Sequence, residues 1–274
     1  MSLYKLILRH KPFKGQFRIF SWLYLNKWLK DVETKTSPII GNFKININTK
    51  NYIDACIYYL GDYEPNLKIH FKRLIKENDT VLDIGANIGF HTLYFAELTG
   101  VNGKVIAFEP IPINFKTLKN NVSLNNFPRI VLVNKALGNT NSQMNIHINE
   151  QTQNPGAFNL FEDGVRNTII ECIKGDDYLQ ANSIEKIDFI KIDVEGYEYE
   201  VLKGLRQTIS RFHPSIIFEY DRNYQLKINA DAGLIFDFLK ELNYNFYCVD
   251  GYGVQKAFKY NEHIQAAEII ALQN

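Results

Sequence analysis

Cysteine is scarce in this chain of 274 residues: Cys56, Cys172 and Cys248 stand far apart and are odd in number. None belongs to a C-x-x-C pair, which removes a disulfide framework and a cysteine zinc site and leaves a reduced, cytoplasmic setting as the simpler expectation. No run of about 18 apolar residues occurs, so a membrane-spanning helix is not expected. The first residues lack a secretory leader's unbroken apolar core, because Arg9, His10, Lys11 and Lys14 interrupt it. An excess of charge of one sign is missing too. Lys and Arg number 31 against 30 Asp and Glu, a net charge of +1, so no overall field draws the protein to nucleic acid. Repeats and low-complexity tracts are also absent.

What remains is a composition of 46% hydrophobic and 22% charged residues, that of a folded protein with a substantial core. Residues 1–38 read as a basic amphipathic extension, and residues 39–274 as one α/β domain with a small strand and helix addition over 39–78. The first thirty residues carry seven basic side chains and no acidic one, interleaved with Leu3, Leu6, Phe17, Trp22, Leu25 and Trp28. Pro12 and Gly15 divide this segment into two short helices. Such helices suit a peripheral contact of residues 1–30 with a membrane surface or a partner, or a lid packed on the main domain. The sequence leaves a homo-oligomer open.

Ile39–Thr49 alternates as a half-buried strand does, and Asn66–Lys76 has the spacing of a helix. From Thr80 a strand and helix rhythm sets in. Strands are expected at Thr80–Ile84, Lys104–Phe108, Ile130–Asn134, Phe189–Asp193, Ser215–Tyr220, Phe246–Val249 and Glu268–Leu272. The helices between them are expected at Gly89–Leu98, Pro112–Asn125, Tyr197–Ser210 and Ala232–Leu242. Short apolar strands alternating with amphipathic helices imply a mostly parallel sheet covered on both faces. Gln143–Arg166 is polar and turn-rich and reads as an excursion near the binding face.

The strongest local signal is Val81-Leu-Asp-Ile-Gly-Ala-Asn-Ile-Gly89, a strand entering a glycine-bearing turn and then a helix. Ligands on such sheets bind at the carboxyl ends of the strands. A dinucleotide fingerprint would need glycine at positions 85, 87 and 90, whereas Asn87 and Phe90 stand at two of them. Asp83 at the strand end instead suits a cationic amino-acid moiety. Glu109 closes the next strand 20 residues beyond Gly89, the spacing at which an acid accepts hydrogen bonds from a ribose diol.

At these residues the chain resembles the FkbM family of S-adenosylmethionine-dependent methyltransferases. The blocks are DIGANIGFHTLYFA (Asp83–Ala96), AFEP (Ala107–Pro110), NKALGN (Asn134–Asn139), FIKIDVEGYEYEVLKG (Phe189–Gly204) and IIFEY (Ile216–Tyr220). The resemblance implies a Rossmann-like class I fold, with a seven-stranded, mostly parallel sheet whose last strand runs antiparallel. It implies S-adenosylmethionine as donor and a hydroxyl acceptor on a sugar, a glycan or a glycosylated metabolite. By match of motif, Asp83, Gly85, Asn87, Gly89 and Thr92 would surround the methionine end. Glu109 would hold the ribose, with Pro110, Ile111 and Ala136 beside the adenine. Ala136-Leu137 departs from methyltransferases that place an acid against the adenine amine.

A hydroxyl is a poor nucleophile until its proton leaves, which calls for a base or a metal. The sequence offers Asp193 and Glu195 after one strand, and Glu219 and Asp221 after the next. Lys191 shares strand parity with Asp193 and Glu195. Asp193 is the expected base or metal ligand with Glu219 as its partner. Oxygen donors of this kind suit magnesium, although no His or Cys supports the pair, and an ion-paired Lys191 network is the alternative. The run Tyr63-Glu64-Pro65 is expected to border the pocket, Glu64 and His91 are candidate acceptor contacts, and Asp176-Asp177 read as a helix cap. Other readings are a protein, lipid or small-molecule acceptor, or a donor-fold binding module without catalysis. Amine methylation is disfavoured, since neither an Asn-Pro-Pro nor an Asn-Pro-Tyr run follows Phe189–Asp193. Nucleic acid is not expected as substrate, for want of a basic aromatic stripe in the core domain.

Overall fold

The computed structural model describes residues 3–9, 13–148, 166–250 and 253–273. Two short helices, α1 (Leu3–Arg9) and α2 (Gln16–Leu25), flank Gly15, whose φ of 88° starts the second. A hairpin of β1 (Glu33–Thr36) and β2 (Ile45–Asn48) follows, then α3 (Tyr52–Ala55), which runs into a π-helical turn at Cys56–Leu60, and α4 (Pro65–Leu74). Proline at the first position of α4 has no N–H to satisfy there.

The main unit runs β3 (Thr80–Ile84), α5 (Phe90–Thr99), β4 (Lys104–Phe108), α6 (Pro112–Ser123), β5 (Ile130–Val133) and β6 (Ala136–Gly138). Next come β7 (Ser142–Ile148), β8 (Arg166–Lys174), α7 (Gly175–Ala181), β9 (Phe189–Ile192), α8 (Glu198–Gly204) and α9 (Arg206–Phe212). The last elements are β10 (Ser215–Asp221), α10 (Arg222–Ile228), α11 (Leu234–Glu241), β11 (Tyr244–Val249), β12 (Gln255–Ala257) and β13 (Ala266–Gln273).

Among the described residues, one sheet has the order β12-β11-β13-β10-β9-β3-β4-β5. It contains the seven expected strands, and the three-residue β12 adds an eighth at the edge. The strands from β10 to β5 are parallel, while β13 runs antiparallel to both β10 and β11. Strand order reverses between β3 and β9, and the crevice beyond their carboxyl ends is where such sheets bind ligands. A smaller sheet, β6-β8-β7, stands beside it. The excursion expected over Gln143–Arg166 therefore begins inside β7 (Ser142–Ile148) and ends at the first residue of β8, and 149–165 lie outside the described residues.

Alternation along the strands sorts side chains into two cores. Leu82, Ile190, Ile216 and Phe218 pack with Val201, Leu205 and Phe236 on one face. Val81, Phe189 and Ile217 pack with Phe71, Leu93 and Phe95 on the other. Each fully buried ring or branched chain contributes roughly 1.5–3 kcal/mol. Asp83, Lys191 and Glu219 share parity with the second set, so they face the side of the sheet covered by α4 and α5.

The helix expected over Tyr197–Ser210 is broken at Leu205 into α8 and α9. Gly204 lies so close to β6 that a Cβ there would sit 1.9 Å from the Gly138 carbonyl oxygen. The Asp176 carboxylate accepts from Gln207 N and Thr208 N, both at 2.9 Å. Asp176 therefore caps a helix as its residue type suggests, but a neighbouring helix rather than its own.

Candidate active site

The turn after β3 is built from three left-handed residues, Gly85 (φ 84°), Asn87 (φ 49°) and Gly89 (φ 88°). Gly85 is doubly required. Its backbone is of the kind glycine adopts without cost, and a Cβ would meet the Asp193 carbonyl oxygen at 1.9 Å. Gly85 N and Ala86 N both donate to the Phe108 carbonyl, at 3.0 and 2.9 Å, which ties the turn to β4. Asp83 and Thr92 lie beneath the turn with no exposure, and Thr92 Oγ1 donates to Asp83 Oδ2 at 2.5 Å. Asp83 Oδ1 is a buried acceptor that no protein group satisfies.

Two compartments open at this turn. The first is a cleft of about 810 Å³ that Gly85, Asn87, Glu109, Pro110, Ile111 and Ala136 line together with Met144, Ile146 and Ile170 of the small sheet. Asp83, Gly89 and Thr92 do not reach its wall. Glu109 is held at its edge, its two oxygens accepting from Asn87 N at 2.8 Å and Ile111 N at 2.9 Å. Burial, outweighing these bonds, pushes its carboxyl up to about 7.

The second compartment, about 710 Å³, is lined by Tyr63, Glu64, Phe90, His91, Lys191 and Glu219. Gly85, Asn87, Asp193 and Glu195 line both compartments and form the partition between them. Lys191 Nζ donates to Asp193 Oδ2 at 2.8 Å, with the Lys191 side chain 7% exposed and that of Asp193 30% exposed. Burial works against charge on Lys191, but Asp193, Asp83 and Glu64 outweigh it and keep the ammonium charged. Burial likewise opposes charge on Asp193, yet Lys191 and a hydrogen bond from Glu219 hold its carboxyl below the usual range.

Glu219 behaves in the opposite way. Burial and the Asp193 charge push its carboxyl up to about 10, so it remains a neutral acid that donates to Asp193. Beside it in register, Glu268 is raised to about 8 by burial and by Glu64 and Asp193. Two carboxyls that would repel thus share the cleft by taking different protonation states.

The structure brings Glu64 and His91 together although they are 27 positions apart, with His91 Nε2 to Glu64 Oε2 at 2.9 Å. Asp221 leaves the acidic cluster to which its position assigned it. Its Oδ1 accepts from Asn223 N and Tyr224 N and caps α10. Among the described residues no group of three or more His, Cys, Asp or Glu side chains is placed to hold a metal ion. At the expected magnesium position, the Lys191 ammonium already pairs with Asp193 through Oδ2. The donor set does not fit a divalent ion, and the chemistry below uses none.

Phe90, Met144, Ile146 and Ile170 were not expected at the site, whereas Tyr63 stands where the run Tyr63-Glu64-Pro65 led one to expect it. Only Phe90, next to the glycine turn, carried a local signal. Glu198, inside the Asp193–Glu200 run, orders the partition by accepting from Val194 N at 3.2 Å and Gly196 N at 3.0 Å.

A model of the methyltransferase FkbM domain matches residues 83–246. The chain belongs to the FkbM methyltransferase family. Two curated relatives of this FkbM-family chain are each 30% identical to it. The hexuronic acid methyltransferase AglP of Haloferax volcanii aligns over 135 residues, 49% of this chain and 53% of its own length. The methyltransferase sdnD of Sordaria araneosa aligns over 164 residues, 48% of this chain and 62% of its own. The chain thus spans about half to three fifths of those relatives. A solved structure of the methyltransferase FkbM from Methylobacillus flagellatus has 18% identity and a TM-score of 0.46, covering 73% of this chain and 47% of that one. The family match starts at Asp83, so Tyr63 and Glu64 of the second compartment come from outside it.

Proposed function

We propose that this FkbM-family chain transfers a methyl group from S-adenosylmethionine to a hydroxyl of a sugar, a glycan or a glycosylated metabolite. The observation that carries the reading is the pair of compartments meeting at Gly85, Asn87, Asp193 and Glu195. One has an apolar wall with a carboxyl at its edge, and the other holds a charged carboxylate with a lysine and aromatic rings. The first fits a nucleoside: Glu109 would take the ribose hydroxyls, and Ile111, Ala136, Met144, Ile146 and Ile170 would face the adenine. The unsatisfied Asp83 Oδ1 suits an ammonium, reached through water.

When bound, S-adenosylmethionine supplies an electrophilic methyl group on a sulfonium sulfur. The protein's task is then alignment and proton removal. Lys191 keeps Asp193 ionised, and Asp193 accepts a hydrogen bond from the acceptor hydroxyl at the partition. The acceptor hydroxyl would become strongly acidic as it is methylated, so even this weakly basic carboxylate would take its proton. Glu219, as a neutral acid, orients Asp193 by donating to it. Tyr63 and Phe90 give flat apolar faces, and Glu64 with His91 gives polar ones, a combination suited to a sugar ring. The name of the Haloferax volcanii relative, a sugar-acid methyltransferase, supports the same substrate class.

The test is transfer of labelled methyl from S-adenosylmethionine into fractionated cell extract, with Asp193→Asn alongside. Label in carbohydrate that the variant does not transfer supports the reading. Label confined to protein, lipid or nucleic acid sinks the sugar assignment, and full turnover by the variant sinks the assignment of the base.

A further inference from the structure

We propose that the two N-terminal helices and the turn after them form a docking face for an anionic lipid surface. The inference does not depend on which acceptor is methylated. Both helices are anchored: Leu8, Phe20 and Leu23 are buried against Ala55, Cys56 and Tyr59, and Arg9 donates to the Ile57 and Tyr58 carbonyls at 2.7 and 3.0 Å. With their inner side satisfied in this way, they present large apolar side chains outward. Leu3 is 68% exposed, Ile7 55%, Phe17 57%, Trp22 54%, Leu25 69% and Trp28 58%. The rings of Trp22 and Trp28 pair at 5.4 Å in the open.

An apolar face of this kind needs a cover, and the charges around it select which. The first thirty residues contain seven Lys and Arg and no Asp or Glu. Arg9 is used internally, but Lys14, Arg18, Lys27 and Lys30 are exposed, and Arg18 and Lys27 are the sequence neighbours of Phe17 and Trp28. A second copy of the same face would set these cations against each other. A surface of anionic headgroups over acyl chains would satisfy both components, with tryptophan at the polar boundary and cations at the phosphates. The helices pack on the segment that also gives Ile53 to the second compartment, so docking would hold the acceptor side of the site near the lipid.

The chain has two tryptophans, Trp22 and Trp28, so its intrinsic emission reports on this face directly. The full chain is titrated with vesicles of phosphatidylcholine alone and of phosphatidylcholine mixed with phosphatidylglycerol. The expected result is a blue shift, with quenching by brominated acyl chains, on the anionic vesicles and reversal by salt. Each cation near the surface strengthens binding about fivefold. The exposed triple variant Lys14→Glu, Arg18→Glu, Lys27→Glu should therefore bind more than about a hundredfold more weakly. No shift on anionic vesicles, equal binding to neutral ones, or full binding by the triple variant would overturn the proposal. So would blue-shifted emission without lipid that accompanies a concentration-dependent dimer.

Discussion

Glu219→Gln removes from the cleft a proton that the fold is obliged to hold. The unfolded chain releases that proton near pH 4.3, whereas in the folded protein burial and the Asp193 charge raise the carboxyl to about 10. The contribution of Glu219 to stability is therefore greatest below about pH 4 and declines as pH rises through the interval up to about 10. Each pH unit in that interval is worth ~1.4 kcal/mol, so three units would come to ~4 kcal/mol. Water at the cleft mouth screens part of this, and ~2 kcal/mol is the expected penalty near pH 7.5. Glutamine keeps a donor for Asp193 and cannot ionise. Thermal unfolding followed by circular dichroism should find the variant equal to the parent at pH 4–5. At pH 8 it should melt roughly 4–8 °C higher, from ~2 kcal/mol at about 2–4 °C per kcal/mol. Asp193 titrates with the opposite sign, stabilising above its unfolded value and losing that support as pH falls through its depressed folded value. Both proteins retain it. An offset independent of pH, or a parent that gains on the variant above pH 7, would refute the assignment of the proton to Glu219.

Asp193→Asn should lower kcat roughly 10²–10⁴-fold, the usual worth of a positioned base, while calorimetry finds donor affinity unchanged. Donor affinity itself should tighten as pH rises from 6 to 8 and then level off, because the proposed ribose contact calls for ionised Glu109, whose carboxyl burial raises to about 7. Glu109→Gln should flatten that profile and weaken binding roughly 10- to 100-fold, as expected for a hydrogen bond to a charged group. Gly85→Ala should abolish donor binding and cost at least ~1–3 kcal/mol for the left-handed backbone alone, read by titration and by melting temperature. The second compartment sets the carboxyls of Glu64, Asp193 and Glu195 against the Lys191 ammonium, with Glu219 held neutral. A neutral hexoside should therefore show a lower KM than the matching uronate in a direct comparison.

Local periodicity made most of the main sheet legible, since strands such as Phe189–Ile192 are buried at every position and leave only parity to be read. Legibility failed where the signal was not local. Strand β1, Glu-Thr-Lys-Thr, has no apolar position at all, and it pairs because β2 presents an edge. Ile39 and Ile40 suggested a longer β2, but they stand exposed ahead of it at 57% and 39%, and the buried alternation is Phe43, Ile45 and Ile47. The break at Leu205 follows from Gly204 pressing on Gly138, 66 residues away, which no helical spacing records. At the site, the Asp193 and Glu219 pairing could be read from adjacent strand ends. The Glu64 and His91 contact could not, because it depends on how α4 lies over α5. Met144 and Ile146 were hidden in a stretch whose polar composition masked the side that packs, and Ile170 lies in β8, which was not among the expected strands.

The contact between Gly85 and the Asp193 carbonyl has a bearing on tolerance. The donor turn and the residue assigned as base touch through main-chain atoms, with no side chain between them to rotate or compress. Any shift of β3 relative to β9 therefore passes undiminished into the spacing between the two compartments. Those strands are paired in register from Val81 with Phe189 to Ile84 with Ile192, so sheet pairing sets that spacing as a gauge block does, and variation of the side chains around it can retune the acceptor without resetting the reach of the transfer.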